Sequence, residues 1–160
     1  MPYLLDSNSF IQPKNTFYSF DVCPPFWDWL IQSNRRGVVF SIQKVESELM
    51  EQRDELSKWV KKCCGDSFFL KPDKGAAEHL QLVAQWVQDH PNYTDAARQD
   101  FFRKADYYLV AQARAEGFTV VTFEKHENSI HTVKIPTVCA AVGVKCCNLH
   151  KMLKEEGARF

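Results

Sequence analysis

The chain has 160 residues, 45% of them hydrophobic, and its 20 basic and 20 acidic residues give a formal net charge of zero. We expect one domain spanning residues 1–160, since this length buries a sizeable core without disulfides or metals. The zero net charge argues neither for nor against a polyanionic partner, so any basic patch has to be local. No apolar run approaches the ~20 residues that span a bilayer and no signal peptide is evident, which predicts a cytoplasmic protein with no membrane association.

The first third of the chain predicts two buried strands separated by a helix. Residues 3–5 form a short apolar run that ends at Asp6, and residues 38–41 form another such run after Gly37. A proline pair opens the intervening helix, which ends near residue 36. Its predicted inner face consists of Phe26, Trp29 and Leu30.

The remainder of the chain continues the alternation of strands and helices. Residues 42–63 are predicted to be helical with a break near residues 52–54, and the clearest strand spans residues 118–123. We also predict strands at residues 67–70 and 144–146, and helices at residues 73–88, from residue 94, and at residues 104–116, 136–141 and 148–156. The pattern predicts a three-layer α/β/α fold with a mainly parallel central sheet, in which the first strand and the clearest strand are adjacent and central.

Acidic residues from four separate elements are predicted to meet at one edge of this sheet. Asp6 follows the first strand, Glu124 follows the clearest strand, and Asp106 lies in the first turn of the helix before it. Because the carboxyl ends of parallel strands share an edge with the amino ends of the helices, these carboxylates should lie close together. Glu46 and Glu48, early in the helix after the second strand, reach the same edge, and helical periodicity does not choose between them.

Asp106 is the most informative of these acids, because it falls on the apolar face of its helix. A carboxylate among apolar side chains is costly unless something pairs with it, which favours a role as a ligand. The alternative is an acid that only stabilises the helix dipole. Thr122 also has two interpretations. Its hydroxyl at the strand end can point into the cleft formed by these acids, or it can be an ordinary strand residue.

Clustered carboxylates repel one another, so such a cluster either holds protons or binds a cation. A ligand set made only of oxygen atoms selects Mg²⁺ or Mn²⁺ over Zn²⁺. A carboxylate-held cation of this kind is suited to the hydrolysis of phosphodiesters. The six cysteines include two adjacent pairs and no C-x-x-C spacing, so we expect buried thiols rather than a zinc site or a disulfide framework.

Four segments of the chain, in this order, resemble a PIN domain, a class of metal-dependent nucleases with an acidic quartet at the edge of a parallel sheet. The segments are Leu4–Asn8, Val45–Leu49, Ala105–Ala111 and Val120–Glu124. More narrowly, residues 135–139 and 148–149 are similar to the carboxyl end of a PIN-like family of small bacterial proteins related to VapC-type toxins. The resemblance implies an endoribonuclease with Mg²⁺ or Mn²⁺ as cofactor, RNA as substrate and a protein antitoxin as partner. It leaves a homodimer open.

The resemblance also implies which residues form the site. The catalytic and metal-binding quartet would be Asp6, Glu48, Asp106 and Glu124. Glu48 is selected over Glu46 because it matches the family pattern Val-x-x-Glu-Leu. Asn8 and Thr122 match polar positions that flank the metals. Glu124 stands where most PIN domains carry Asp, a departure that bears on whether one or two metals bind.

Basic side chains near the same edge are candidates to meet the phosphates of RNA, with ordinary solvated surface as the alternative for each. They are Lys44, Arg98, Arg103, Lys104 and Lys125. The main rival function is a catalytically silent module of the same fold that holds RNA or a protein. A phosphatase of the haloacid dehalogenase type is disfavoured, because that chemistry needs a second Asp where this chain has Asn8.

Overall fold

The computed structural model describes residues 2–160, so that Met1 lies outside the described residues. A five-stranded sheet forms the centre of the molecule, and every pair of neighbouring strands is parallel. The strands are β1 (Tyr3–Leu5), β2 (Val39–Ile42), β3 (Phe69–Leu70), β4 (Thr119–Val121) and β5 (Cys146–Cys147). Their order in the sheet is β3-β2-β1-β4-β5, which confirms that the first strand and the clearest predicted strand are adjacent and central.

Nine helices connect and follow these strands in the described part of the chain. They are α1 (Asn8–Asn15), α2 (Pro24–Arg35), α3 (Gln43–Glu51), α4 (Glu55–Cys63), α5 (Ala76–Asp89), α6 (Asp95–Arg103), α7 (Ala105–Glu116), α8 (Ile135–Val142) and α9 (Leu149–Glu155). Every predicted helix is present, although the predicted ends shift by one to three residues. The first strand has its predicted bounds, the second and the last are shifted by one or two residues, and the third and fourth are shorter than predicted because only part of each apolar run pairs with a neighbour.

The strand order reverses direction once, and this reversal explains the three layers. From β1 the chain moves outward to β2 and β3, and it then returns past β1 to β4 and β5. Because crossovers between parallel strands are right-handed, the helices of the first two connections lie on one face and those of the last two on the other. The reversal point lies between β1 and β4, and ligands of open α/β sheets bind outside the strand ends at such a point.

Aromatic side chains fill the core beneath the first four helices. The ring of Phe10 lies 6.1 Å from that of Phe68 and 6.3 Å from that of Trp59. The indole of Trp27 contacts the Trp59 ring at 4.9 Å and donates a hydrogen bond to the Tyr18 carbonyl at 2.7 Å. Burial of these large rings supplies a substantial part of the apolar area that stabilises the fold.

The predicted inner face of α2 is wrong at one position. Phe26 and Leu30 are buried as expected, but Trp27 is buried to 2% exposure while Trp29 is only half-buried. Trp27 can be buried because its N–H group finds the Tyr18 carbonyl, which removes the cost of an unpaired donor.

The predicted helix break is confirmed between α3 and α4. Arg53 adopts a positive φ of 48°, and the Asp54 carboxylate accepts a hydrogen bond from the backbone N–H of Ser57 at 3.0 Å. This side-chain cap satisfies one of the free donors at the start of α4. The side chains of Thr94 and Asn148 cap α6 and α9 in the same way.

All six cysteines are free, and only one of them is fully buried, so the expectation of buried thiols is wrong for most of them. Cys139 is buried on α8, whereas Cys63 is exposed because it lies in the last turn of α4. No helix in residues 2–160 has both the length and the apolar character needed to cross a membrane.

Candidate functional site

The reversal point of the sheet opens into a cleft of about 390 Å³, called here the carboxylate cleft. The predicted quartet of Asp6, Glu48, Asp106 and Glu124 lines it, with one acid from each of four elements, and Glu51 is a fifth acid in its lining. Its other lining residues are Ser7, Asn8, Ile11, Gln52 and Lys104. The fold therefore brings all four predicted carboxylates, together with Asn8, to one cleft.

Asp6 is the most deeply buried of the four, with 3% exposure directly after β1. The Thr122 hydroxyl donates to its Oδ2 at 2.6 Å, and the backbone N–H of Ser9 donates to its Oδ1 at 3.0 Å. The Ser9 hydroxyl lies 2.9 Å from the Val121 carbonyl and 3.3 Å from Asp6, so its single hydrogen is better placed for the carbonyl. Burial raises the pKa of Asp6 to about 6, although these donors oppose the rise.

Glu48 reaches the cleft from α3 and is held by two donors. The Ser7 hydroxyl donates to its Oε1 at 2.5 Å, and the backbone N–H of Ala105 lies 3.5 Å from its Oε2. Glu46, on the same helix, instead lies near Cys64, where its charge contributes to the raised pKa of that thiol. The structure thus separates two acids that helical periodicity had left equivalent, and Glu48 is the one at the cleft.

Glu124 follows β4 and is held at the start of α8. The backbone N–H of Ile135, the first residue of that helix, donates to the Glu124 Oε2 at 2.7 Å. The Glu124 backbone N–H in turn donates to the Thr122 hydroxyl oxygen at 3.1 Å. Thr122 therefore links Asp6 and Glu124, and its buried hydroxyl supports these two acids without lining the cleft.

Three helix amino ends converge on these carboxylates. Asp6 accepts from the first turn of α1, Glu48 faces the first residue of α7, and Glu124 accepts from the first residue of α8. A helix amino end carries a partial positive charge and stabilises a nearby anion by roughly 0.3–1 kcal/mol. These contacts orient three of the acids and partly offset their mutual repulsion.

Asp106 differs from the other three acids. It lies in the first turn of α7, and no hydrogen bond or salt bridge to its carboxylate is present within residues 2–160. Burial raises its pKa to about 7, and the charges of Glu124, Asp6 and Glu48 add to the rise. Lys104 opposes the rise from the edge of the cleft, but its ammonium also forms a salt bridge with Asp100 at 2.8 Å.

The carboxylate oxygens that line the cleft are the kind of ligand that a hard cation prefers. As the side chains stand, no three His, Cys, Asp or Glu side chains among residues 2–160 lie close enough together to hold a metal ion. The acids nevertheless share one cleft, present only oxygen donors, and include the half-buried carboxylate of Asp106, which has no hydrogen-bond or salt-bridge partner among residues 2–160. Such a set suits Mg²⁺ or Mn²⁺, which take carboxylate oxygens and retain waters.

The predicted phosphate-binding residues divide into two groups. Lys104 lines the cleft, with Arg103 next to it in a 3.3 Å salt bridge to Asp100, and Lys125 is exposed directly after Glu124. Lys44 lies outside the cleft, where its ammonium sits 4.7 Å from the centre of the Tyr108 ring. Arg98 is held by the carbonyls of Val87 and His90, so its guanidinium stabilises the end of α5 instead.

The sequence-based prediction missed two serines that shape the site. Ser7 holds Glu48, and Ser9 supplies a backbone donor to Asp6. The available signal was their place where the chain passes from the first strand into the first turn of α1, a position at which Ser commonly bonds to neighbouring groups.

The comparisons with known proteins agree with this architecture. Residues 3–160 match the model of a family described as a domain of unknown function, DUF4411. The chain belongs to this family. None of the curated proteins matches the DUF4411 chain.

Two solved structures are similar to the DUF4411 chain. One is FitAB bound to an IR36 DNA fragment, with a TM-score of 0.58, 18% identity, and coverage of 91% of this chain and 94% of that one. The other is FitAcB from Neisseria gonorrhoeae, with a TM-score of 0.58, 19% identity, and coverage of 91% of this chain and 96% of that one. At this identity the likeness concerns the fold alone, and that fold is PIN-like.

Proposed function

We propose that this protein is a divalent-metal-dependent endoribonuclease that acts as the toxin of a bacterial toxin–antitoxin pair. The observation that carries the proposal is the convergence of four carboxylates from four elements on the reversal point of the sheet. The PIN-like fold supports it, because the sequence motifs of that class fall on these same four acids. The likeness to FitAB and FitAcB supports the wider toxin interpretation, with a protein antitoxin as partner.

Each acid has a role that follows from its contacts. Asp6 is held by Thr122 and by the backbone of Ser9, so it presents a fixed oxygen pair at the floor of the cleft. Asp106 has no competing donor, so its carboxylate is free to bind a cation. A bound Mg²⁺ or Mn²⁺ would supply a nucleophilic hydroxide and would stabilise the charge that develops on the phosphate.

Glu48 and Glu124 complete the set from opposite sides. Each is held by a helix amino end through Oε2, so Glu124 keeps its Oε1 for the cleft, whereas the Oε1 of Glu48 accepts from Ser7. Glu48 is therefore positioned either to bind the cation or to orient the attacking water. Lys104 at the rim would meet a non-bridging phosphate oxygen, since its ammonium is the cation that lines the cleft.

The test is cleavage of single-stranded RNA by the purified protein, free of any antitoxin, with Mg²⁺ or Mn²⁺ and with EDTA as a control. We expect cleavage that needs the cation and that falls by orders of magnitude in Asp106→Asn, which keeps the shape of the side chain and removes its charge. Asp28→Asn is the matched control, because Asp28 is exposed on α2 outside the cleft. Cleavage that survives both EDTA and Asp106→Asn would contradict the metal mechanism.

The second candidate is a silent PIN-like module that binds RNA or a protein. The observation that favours it is that the acids are not gathered into a closed ligand set in residues 2–160. The same assay separates the two, because a silent module binds RNA but leaves it intact across varied substrates. Growth arrest on expression of the wild-type chain, absent for Asp106→Asn, is the outcome expected of a toxin.

A further inference from the structure

A row of three rings, two of them exposed and one half-buried, lies at the same edge of the sheet as the carboxylate cleft. We define the aromatic row as Phe123, His150 and Phe17. The ring of Phe123 lies edge-on to the His150 ring at 6.4 Å, and the His150 ring lies 6.2 Å from that of Phe17. Phe123 is followed directly in the chain by Glu124, which lines the cleft.

Phe17 is the unusual member of the row. Its side chain is 67% exposed, although a large apolar side chain at the surface is unfavourable in water. The turn that presents it is well held, because the next residue, Tyr18, stacks on Phe26 at 4.6 Å and accepts the Trp27 indole bond. The ring is thus displayed on a fixed turn and does not belong to the core below it.

The other two rings are fixed by the ends of secondary structure. Phe123 comes two residues after β4, and His150 is in the first turn of α9, whose start is capped by Asn148. Both positions belong to the edge of the sheet where the carboxylates meet. The row therefore lies at the same edge of the sheet as the cleft.

We propose that the aromatic row is a stacking platform for unpaired bases of an RNA strand whose phosphate lies in the carboxylate cleft. This inference rests on the proposed function and names its substrate as single-stranded. Exposed rings in sequence along a groove bind bases through their faces, and they do so with little sequence preference. Lys125, which is exposed and directly follows Glu124, is two residues from Phe123 in the chain and is the candidate to meet a backbone phosphate beside the rings.

The test measures binding of a labelled eight-nucleotide oligouridylate by fluorescence anisotropy. The protein carries Asp106→Asn throughout, so that the strand stays intact, and a gel verifies its length. We expect Phe17→Ala to weaken binding by about 5- to 100-fold, the range seen when a base loses its aromatic partner, and Phe17→Tyr to restore it. An abasic oligomer of the same length has the same phosphates, so its affinity should not change.

Val22→Ala is the matched control, because Val22 is 76% exposed in the same α1–α2 connection and lies outside the row. Unchanged oligouridylate affinity in Phe17→Ala would overturn the proposal, and so would equal weakening for the abasic oligomer or equal binding of duplex RNA. Base-dependent binding by a wild-type protein that cleaves nothing would uphold the platform while defeating only the nuclease proposal.

Discussion

Two regions that the chain enters directly after β1 have opposite physical character. Beneath the first helices, Phe10 packs among aromatic rings with no exposed surface. Four residues earlier in the chain, Asp6 lies in a cleft where burial, with a further contribution from the charge of Glu124, raises its pKa to about 6. The first region lowers the free energy of the folded state by burying apolar area, whereas the second raises it by burying charge.

The difference shows how this fold separates stability from chemistry. The core can tolerate an unfavourable cleft because a few kcal/mol of repulsion is small beside the apolar burial that surrounds it. Residues that only stabilise should therefore weaken the protein when they are truncated. Carboxylates that are held for a ligand should instead increase the stability of the folded protein when their charge is removed.

The largest effect on stability is expected in the aromatic core. Phe10→Ala should lower the free energy of unfolding by about 3–5 kcal/mol, because it removes a fully buried ring and leaves a cavity among Trp59, Phe68 and Phe69. Urea denaturation measures the loss, and Phe10→Leu should lose less, since it fills part of the cavity. A loss below 1 kcal/mol for the alanine variant would contradict the view that this aromatic cluster stabilises the fold.

Asp106→Asn is expected to act in the opposite direction. The folded-state pKa of Asp106 is about 7, above its ordinary value of 3.8, so ionisation of this group destabilises the folded protein progressively as the pH rises from about 4 to 7. In EDTA the variant should match the wild type near pH 4 and exceed it by up to about 4 kcal/mol at pH 8. Chemical denaturation across this range measures the difference, and equal stability of the two proteins at pH 8 would contradict the burial of an unpaired charge.

A smaller effect is expected at Thr122, which connects the two sides of the cleft. Thr122→Val removes the donor to Asp6 and the acceptor for the Glu124 backbone, so unfolding should become easier by about 1–3 kcal/mol. Loss of the donor should also raise the pKa of Asp6 further, because that hydrogen bond favours the charged form. Carbon-detected NMR titration of the carboxyl groups measures this shift, and Thr122→Ser should keep the wild-type pKa.

The sequence was sufficient for the fold because its signals were local and repeated. Short apolar runs ending at turns or acids marked the strands, and Gly117 marked the end of α7 with the positive φ of 74° that it adopts. The adjacency of the first and the clearest strand at the centre of the sheet was predicted from the alternation of strands and helices, and it is confirmed. The places of the other three strands depend on which strands pair, and that is decided by packing of the whole chain.

The sequence identified the acidic residues of the site, but it did not predict their contacts or their pKa values. Asp106 was identified from its apolar neighbours on one helix face, a signal that is present in the sequence. The contact of Glu48 with Ser7 and the separation of Glu46 from the cleft depend on how α3 packs in the folded chain, which no local pattern contains. Trp27 shows the same limit, since its burial depends on a carbonyl nine residues away.

The central claim is that the carboxylate cleft is held open for a divalent cation, and titration with Mn²⁺ tests it most directly. Calorimetry of the wild-type protein, followed by thermal melting in the same buffer, should show binding and a stabilisation of about 2.7 kcal/mol at a hundredfold excess over the Kd. Asp106→Asn should bind at least about tenfold more weakly, while Asp28→Asn should match the wild type. Absence of Mn²⁺ binding, or equal binding by wild type and Asp106→Asn, would contradict the account.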